Sequence, residues 1–292
     1  MASIAKTIVA TGVTSGLGFE AIKQLLQQTQ PYRVILGARD TKKAQADYDG
    51  LSYDSKTHSV TVLPLELADL RTVKTFARQT LDKLGSDKLD ILLLNAALSK
   101  AADQPGVNGS KWCESYIVNH LSQHYLIHLL REKLVASKSR VVVVSSGGVR
   151  NVKDTSSLDE QLKAKSGVDF FETYANTKFT QLLNAHYWRR QLTGQCDVIA
   201  VSPGLIPYTG LNRYSNFQIP KDLPDAKTLP EGAKSILEAL NRNDFPEDPD
   251  RIFLTSWGEW WEKDVYGLTL DKQLQDKWSP SKEQIEKEEL VD

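Results

Sequence analysis

Cysteine is scarce in this chain of 292 residues: only Cys113 and Cys196 are present. Two isolated thiols make neither a disulfide framework nor a metal-ligand cluster, so no metal is expected, and both read as buried, inert side chains of a protein kept in a reducing cytoplasm. Charge of either sign is not in excess. The net charge is −1, which leaves no electrostatic case for nucleic acid or an anionic lipid surface as partner. No apolar run approaches the roughly 20 residues a spanning helix needs, and the N-terminal residues MASIAKTIVATG lead straight into a strand without signal-peptide architecture. Internal repeats and low-complexity segments are missing as well. Hydrophobic residues at 40% and charged residues at 25% sit near the globular norm. The length suits one large α/β domain spanning 1–292, with no linker to divide it.

What is present is an alternation. Short apolar runs at 6–10, 32–36, 60–65, 89–94, 140–145 and 196–202 read as strands. Segments 19–28, 41–48, 70–84, 112–134, 174–191 and 231–241 carry helical spacing or composition, and 251–255 reads as a further strand before a charged tail. The strands are continuously apolar, which implies burial on both faces. Together these features predict a parallel, doubly wound Rossmann-type sheet in an α/β/α sandwich, with its ligands beyond the carboxyl ends of the strands. Two segments, 147–173 and 204–230, break the alternation. Their length predicts unstructured substrate loops that are mobile without ligand.

The first strand runs into TGVTSGLG, which opens the first helix. Glycines here permit a tight turn and let the backbone approach a pyrophosphate at a helix N-terminus. The second strand ends in GARD: Ala38 stands where an acid would read the adenosine ribose, and Arg39 follows. That pairing favours NADP(H), unless Asp40 reads the ribose and Arg39 is a solvated surface residue. Tyr174 and Lys178, four apart in YANTK, share a helix face. A nearby ammonium lowers the pKa of a phenol and fits it for proton transfer. Ser145 and Ser146 end the valine strand, where a hydroxyl can orient a carbonyl, and Asn119 inside a long helix suggests a kink or a bound water. Each feature also has a plain structural reading; their common order is what makes the set specific.

In that order TGVTSGLG, GARD, LELADL, LNAA, IVNHLSQH, VVVVSS, YANTK and SPGLIPYTGL resemble a short-chain dehydrogenase/reductase over roughly residues 5–215. The chain is most similar to the retinol-dehydrogenase-like and protochlorophyllide-reductase-like branch. The resemblance implies that Tyr174 is the acid/base, Lys178 its partner, Ser146 the carbonyl-orienting hydroxyl and Asn119 the support of a proton relay. It implies a nucleotide site built by Gly12, Thr14, Ser15, Gly16, Leu17, Gly18, Arg39, Glu66, Leu67, Asn95, Ala96, Pro203, Gly204 and Thr209, with Tyr174 and Lys178. Ala97 departs from the glycine usual after the Asn-Ala pair, a hydrophobic N-terminal anchor is not seen, and 147–173 lacks the cysteine a light-driven pigment reaction would use. The expected activity is NADPH-linked interconversion of a ketone or aldehyde and an alcohol on a bulky or aromatic small molecule, in a possible homo-oligomer. Reduction of a conjugated C=C bond and a non-catalytic dinucleotide-binding role are the alternatives. Trp257, Trp260 and Trp261 read as packing for the tail, with an aromatic substrate wall as the second option.

Overall fold

The computed structural model describes residues 5–207, 209–215, 217, 220, 222–223 and 225–291. Among these, seven parallel strands form one sheet in the order β3-β2-β1-β4-β5-β6-β7. The strands are β1 (Lys6–Thr11), β2 (Tyr32–Ala38), β3 (Ser59–Pro64), β4 (Ile91–Leu94), β5 (Arg140–Val144), β6 (Asp197–Val201) and β7 (Phe253–Leu254). Successive side chains of a strand point to opposite faces, so continuous apolar runs feed two cores. Val9, Ile35, Leu92, Val141 and Val143 pack on one face; Ile8, Val34, Leu36, Leu93, Val142 and Val144 pack on the other. The first core is closed by α3 (Leu70–Leu84), α5 (Ser122–Ser137) and α7 (Phe170–Gln191). The second is closed by α1 (Gly16–Leu25), α2 (Thr41–Asp49) and α8 (Leu229–Asn241). After β3 the chain returns to pair β4 with β1, Val9 beside Leu92. That reversal opens the crevice in which such sheets bind ligands.

Several boundaries differ from the sequence expectation. The long helix expected over 112–134 is α4 (Glu114–Tyr116), a π-turn at Ile117–Leu121, and α5. The turn falls on Asn119, where a kink was expected, and widens the helix there. The expected strand 251–255 pairs over two residues only. Residues 147–173 are not an unstructured loop. They hold a 3₁₀ turn (Gly147–Asn151) and α6 (Leu158–Gln161). Backbone bonds from Cys113 to Leu162, Ala164 to Lys111 and Ala102 to Val168, each 2.9 Å, tie them to the segment after β4. Of the second expected loop, 204–230, Tyr208, Asn216, Gln218, Ile219, Lys221 and Pro224 lie outside the described residues. No helix among the described residues is long and apolar enough to cross a membrane. Burial pushes the Cys113 thiol up to about 11, and Cys196 is raised by the same cause.

The charged tail folds into α9 (Lys263–Tyr266), α10 (Lys272–Lys277) and α11 (Lys282–Glu288), and straps α5 and α7. One face of the α5 region carries histidines at i, i+4 and i+8. His120 Nε2 meets the Trp278 carbonyl at 2.8 Å and His124 Nε2 the Pro280 carbonyl at 2.8 Å. Trp188 Nε1 donates to His124 Nδ1 at 2.9 Å, which fixes the neutral ring with its proton on Nε2. Burial holds His120 at about 4 and His124 well below the ordinary histidine value; burial, aided by Lys263, holds His186 at about 3. The folded pKa is depressed in all three. An unfolded histidine therefore gains a proton below about pH 6.5 that the folded ring refuses, and stability falls as pH drops. At pH 5.5 each ring costs on the order of 1 kcal/mol, so the three together cost a few kcal/mol. The urea midpoint should be clearly lower at pH 5.5 than at 7.5, and equal midpoints would contradict this account of the strap.

Candidate active site

Every expected site residue except Asn119 lines one cavity of about 1090 Å³ at the carboxyl ends of the strands. At one end of it the glycine turn is a matter of clearance. Gly12 has φ +66°, and a Cβ there would stand 2.3 Å from the Ala96 Cα. A Cβ on Gly18 would stand 2.4 Å from Asn95 Nδ2. Asn95 braces the turn by donating to the Gly12 carbonyl at 2.6 Å. A Cβ on Gly16 would meet nothing within 4 Å, so the chain leaves open space there. The α1 N-terminus beside it has no acidic residue in its first turn, and its N-cap Ser15 makes no capping bond. Its N–H groups are therefore placed for an anion.

At the next strand end Ala38 is buried and the Arg39 side chain is 64% exposed, 3.9 Å from Glu66. Asp40 is otherwise engaged: its carboxylate caps α2 by accepting from the Lys43 N–H at 2.9 Å. A second cation, Arg213, comes from the segment after β6 and also lines the cavity. The Arg213 guanidinium, with Arg39 beside it, holds the Tyr214 phenol below its ordinary value. Sequence reading missed Arg213 because nothing in its loop marks where the chain returns.

The titratable set lies between β5 and α7. Ser146 leaves β5 extended, and its Oγ accepts from the Gly148 N–H at 3.1 Å. Helix α7 starts at Phe170, capped by Asp169, so Tyr174 sits in its second turn rather than at its start. The half-buried phenol is hydrogen-bonded to Ser146; its enclosed side drives its pKa up to about 12, against the pull of that bond. Lys178, one turn on, is fully buried. Its Nζ stands 5.8 Å from the Tyr174 ring centroid and donates to the Val144 carbonyl at 2.8 Å and to Gln181 Oε1 at 3.0 Å. Burial lowers it to about 7. Asn119 stands behind this set, outside the cavity wall. Its side chain exchanges two 2.8 Å bonds with the backbone of Leu98 and donates to Thr177 Oγ1 at 3.0 Å. It thereby clamps the β4 exit to the helix that carries Tyr174 and Lys178.

The far end of the cavity is apolar at its rim. Phe171, Leu205, Phe217 and Leu223 line it, each among the exposed large hydrophobic side chains. Phe171 packs on Phe170 at 4.2 Å and on Phe217 at 4.5 Å between ring centroids. A polar chain lines the same cavity, in which Asn176 donates to Gln161 at 3.0 Å and Gln161 to Glu172 at 2.6 Å. The tryptophans expected as packing are not in the wall. Trp260 packs on Phe245, Trp261 on Phe253, and Trp278 on Trp112 and Tyr116.

The short chain dehydrogenase family model matches residues 6–158. A short-chain dehydrogenase/reductase of Pestalotiopsis microspora is 62% identical over 98% of this chain and 99% of that protein. Retinol dehydrogenase 12 of Homo sapiens is 28% identical over 80% of this chain and 72% of its own length. Among solved structures, the NADPH-bound carbonyl reductase from chicken fatty liver superposes with a TM-score of 0.66 at 18% identity, covering 89% of this chain and 94% of that one, a likeness of fold. The glycine turn, the Ser146–Tyr174–Lys178 set and these relatives agree: the chain belongs to the short-chain dehydrogenase/reductase family of oxidoreductases, on its retinol-dehydrogenase-like branch.

Proposed function

We propose that the protein is an NADP(H)-dependent oxidoreductase that interconverts a ketone or aldehyde and an alcohol on a bulky, apolar or aromatic small molecule. One observation carries the reading: Tyr174, bonded to Ser146 and backed by Lys178, faces the same cavity as the open glycine turn. The turn suits a pyrophosphate: Gly12 and Gly18 let it pack tightly against Ala96 and Asn95, while open space remains at Gly16 beside the α1 N-terminus. Thr14, Ser15 and Leu17 continue that cradle; of the other residues lining the cavity, Glu66, Leu67 and Ala96 would hold the adenosine, and Pro203, Gly204 and Thr209 the nicotinamide side. The buried Ser145 Oγ, with no partner among the described residues, lines the cavity too. A bound nicotinamide supplies or accepts the hydride. Ser146 holds the substrate oxygen, and the Tyr174 hydroxyl gives its proton to the alkoxide forming there. The Lys178 ammonium steadies the phenolate left behind, offsetting the enclosure that otherwise holds the phenol near 12. Asn119 acts on this set by position.

The rim argues for substrate size. Exposed Phe171, Leu205, Phe217 and Leu223 around one opening are apolar surface in want of a cover. NADPH oxidation should be faster with aryl ketones and quinones than with short aliphatic aldehydes. Phe171→Ala should raise KM for the aryl substrates several-fold, since it removes most of one ring's buried surface. Tight NADPH binding with no turnover on any aldehyde, ketone or quinone would instead favour a binding protein.

A further inference from the structure

We infer that Gln181 is a positioning residue of this site: its amide bridges the Lys178 ammonium and the Asn119 carbonyl and aims the ammonium at the cavity. The geometry is a closed chain. Lys178 Nζ donates to Gln181 Oε1 at 3.0 Å, and Gln181 Nε2 donates to the Asn119 carbonyl at 2.9 Å. That carbonyl lies in the π-turn and also accepts from Gln123 Nε2 at 3.0 Å. Both of its lone pairs are therefore taken by side-chain amides. Gln123 is held in turn by the Ala96 carbonyl at 2.9 Å, so the bridge is anchored at the β4 exit. Gln181, Gln123, Asn119 and Lys178 are all buried.

The chemistry follows from the amide. A carboxamide accepts at oxygen and donates at nitrogen, but at neutral pH it keeps its own two protons. It transmits orientation and does not pass a proton along the chain. Two of the three Lys178 N–H bonds are fixed, by Val144 and Gln181, and the third is left for the cavity that Lys178 lines. The Gln181 acceptor also favours the charged form of a lysine that burial otherwise lowers to about 7. No other charge does this work. Facing Lys178 are Tyr174 on its own helix, the uncharged Ser145 and Ser146 after β5, and Asn119 in the π-turn. Of the charged groups lining the cavity, Glu114 is paired with Lys100 at 2.5 Å and Glu172 accepts from Gln161; the lowering of Lys178 comes from burial and from no neighbouring charge.

The test uses two variants with opposite signs. Gln181→Met keeps the volume and removes the acceptor, so the Lys178 midpoint should fall by about one pH unit. Gln181→Glu places a carboxylate there, and the midpoint should rise by about as much or more. The midpoint is read by titrating the ¹⁵Nζ signals of lysine-labelled full-length protein, with Lys178 assigned through Lys178→Arg. The pH profile of kcat/KM for NADPH-linked carbonyl reduction is recorded in parallel. That kinetic arm rests on the proposed function, whereas the NMR arm does not. Opposite shifts in both arms are the expected result. Opposite NMR shifts in a protein that turns over no carbonyl would support the bridge and sink the functional reading. Unmoved Lys178 midpoints in both folded variants, or shifts of the same sign, would overturn the inference.

Discussion

Tyr174→Phe should lose most turnover while binding the nucleotide nearly as well as the parent. The hydroxyl meets Ser146 in the cavity wall, and the anion-ready glycine turn lies at the other end of the same cavity. Removing one oxygen therefore strips the proton donor without touching the cradle. General acid catalysis supplies roughly 10²–10⁴-fold in rate, and the loss should fall in that range. It should appear in kcat more than in KM, because the hydroxyl acts on charge that develops only as the hydride moves. Structural damage should be small. Phe fills the same space, and the ring keeps its place 5.8 Å from the Lys178 ammonium. A change in stability equal to a core truncation would point to packing instead. Retention of more than half the activity, with substrate saturating, would remove Tyr174 from its role.

The alternation of apolar runs was enough to place the sheet, because a strand buried on both faces has no freedom to be anything else: Ile8 and Val9 must each find a core. The pairing of Tyr174 with Lys178 was legible for a similar reason. Residues 174 and 178 share a helix face whatever surrounds them, and Ser146 follows a valine strand whose end can only open at the sheet edge. Gln181 lies one further turn along from Lys178 and went unread, since a glutamine in a helix carries no signal until its two partners are known. Its partner Asn119 is brought there by the π-turn, and a π-turn depends on tertiary contacts such as those of Asn119 with Leu98 and Thr177. Arg213 and Phe217 escaped because loop residues meet the site by chain return rather than by period. The fold of the charged tail was not legible, because its carboxylates find their partners only across helices, Asp276 with Arg190 at 2.5 Å and Glu286 with Tyr125 at 2.6 Å. Of the tryptophans, Trp278 packs the strap, Trp260 and Trp261 pack on Phe245 and Phe253, Trp257 is 55% exposed against the packing expected of it, and none lines the cavity.

NADPH should be used in preference to NADH by about tenfold or more in kcat/KM. The acid that would read a ribose is replaced by Ala38, and the nearest candidate substitute, Asp40, spends its carboxylate on the cap of α2. Arg39 approaches Glu66 at 3.9 Å, a distance at which an exposed pair contributes little, and the neutral Tyr214 phenol, so its guanidinium charge is available to a phosphate. Arg213, gathered to the same end of the cavity through Tyr214, adds a second positive charge. A guanidinium binds a phosphate through two parallel hydrogen bonds, a geometry lysine does not copy. One charge-assisted bond contributes about 1.5–3 kcal/mol, or about 10- to 150-fold in affinity. The lower part of that range suits Arg39, whose side chain is 64% exposed and therefore screened. The preference should accordingly shrink as salt rises from about 0.01 to 1 M, over which the screening length falls from about 30 to 3 Å. Ala38→Asp combined with Arg39→Ser should invert it, because the new carboxylate accepts from the ribose hydroxyls and repels the phosphate. Arg213→Gln alone should weaken NADPH without improving NADH, which separates a phosphate contact from a general loss of the loop. Equal kcat/KM for the two coenzymes in the parent, or a preference for NADH, would show that Arg39 points away and that the ribose is read by other groups, with Glu66 the first to examine.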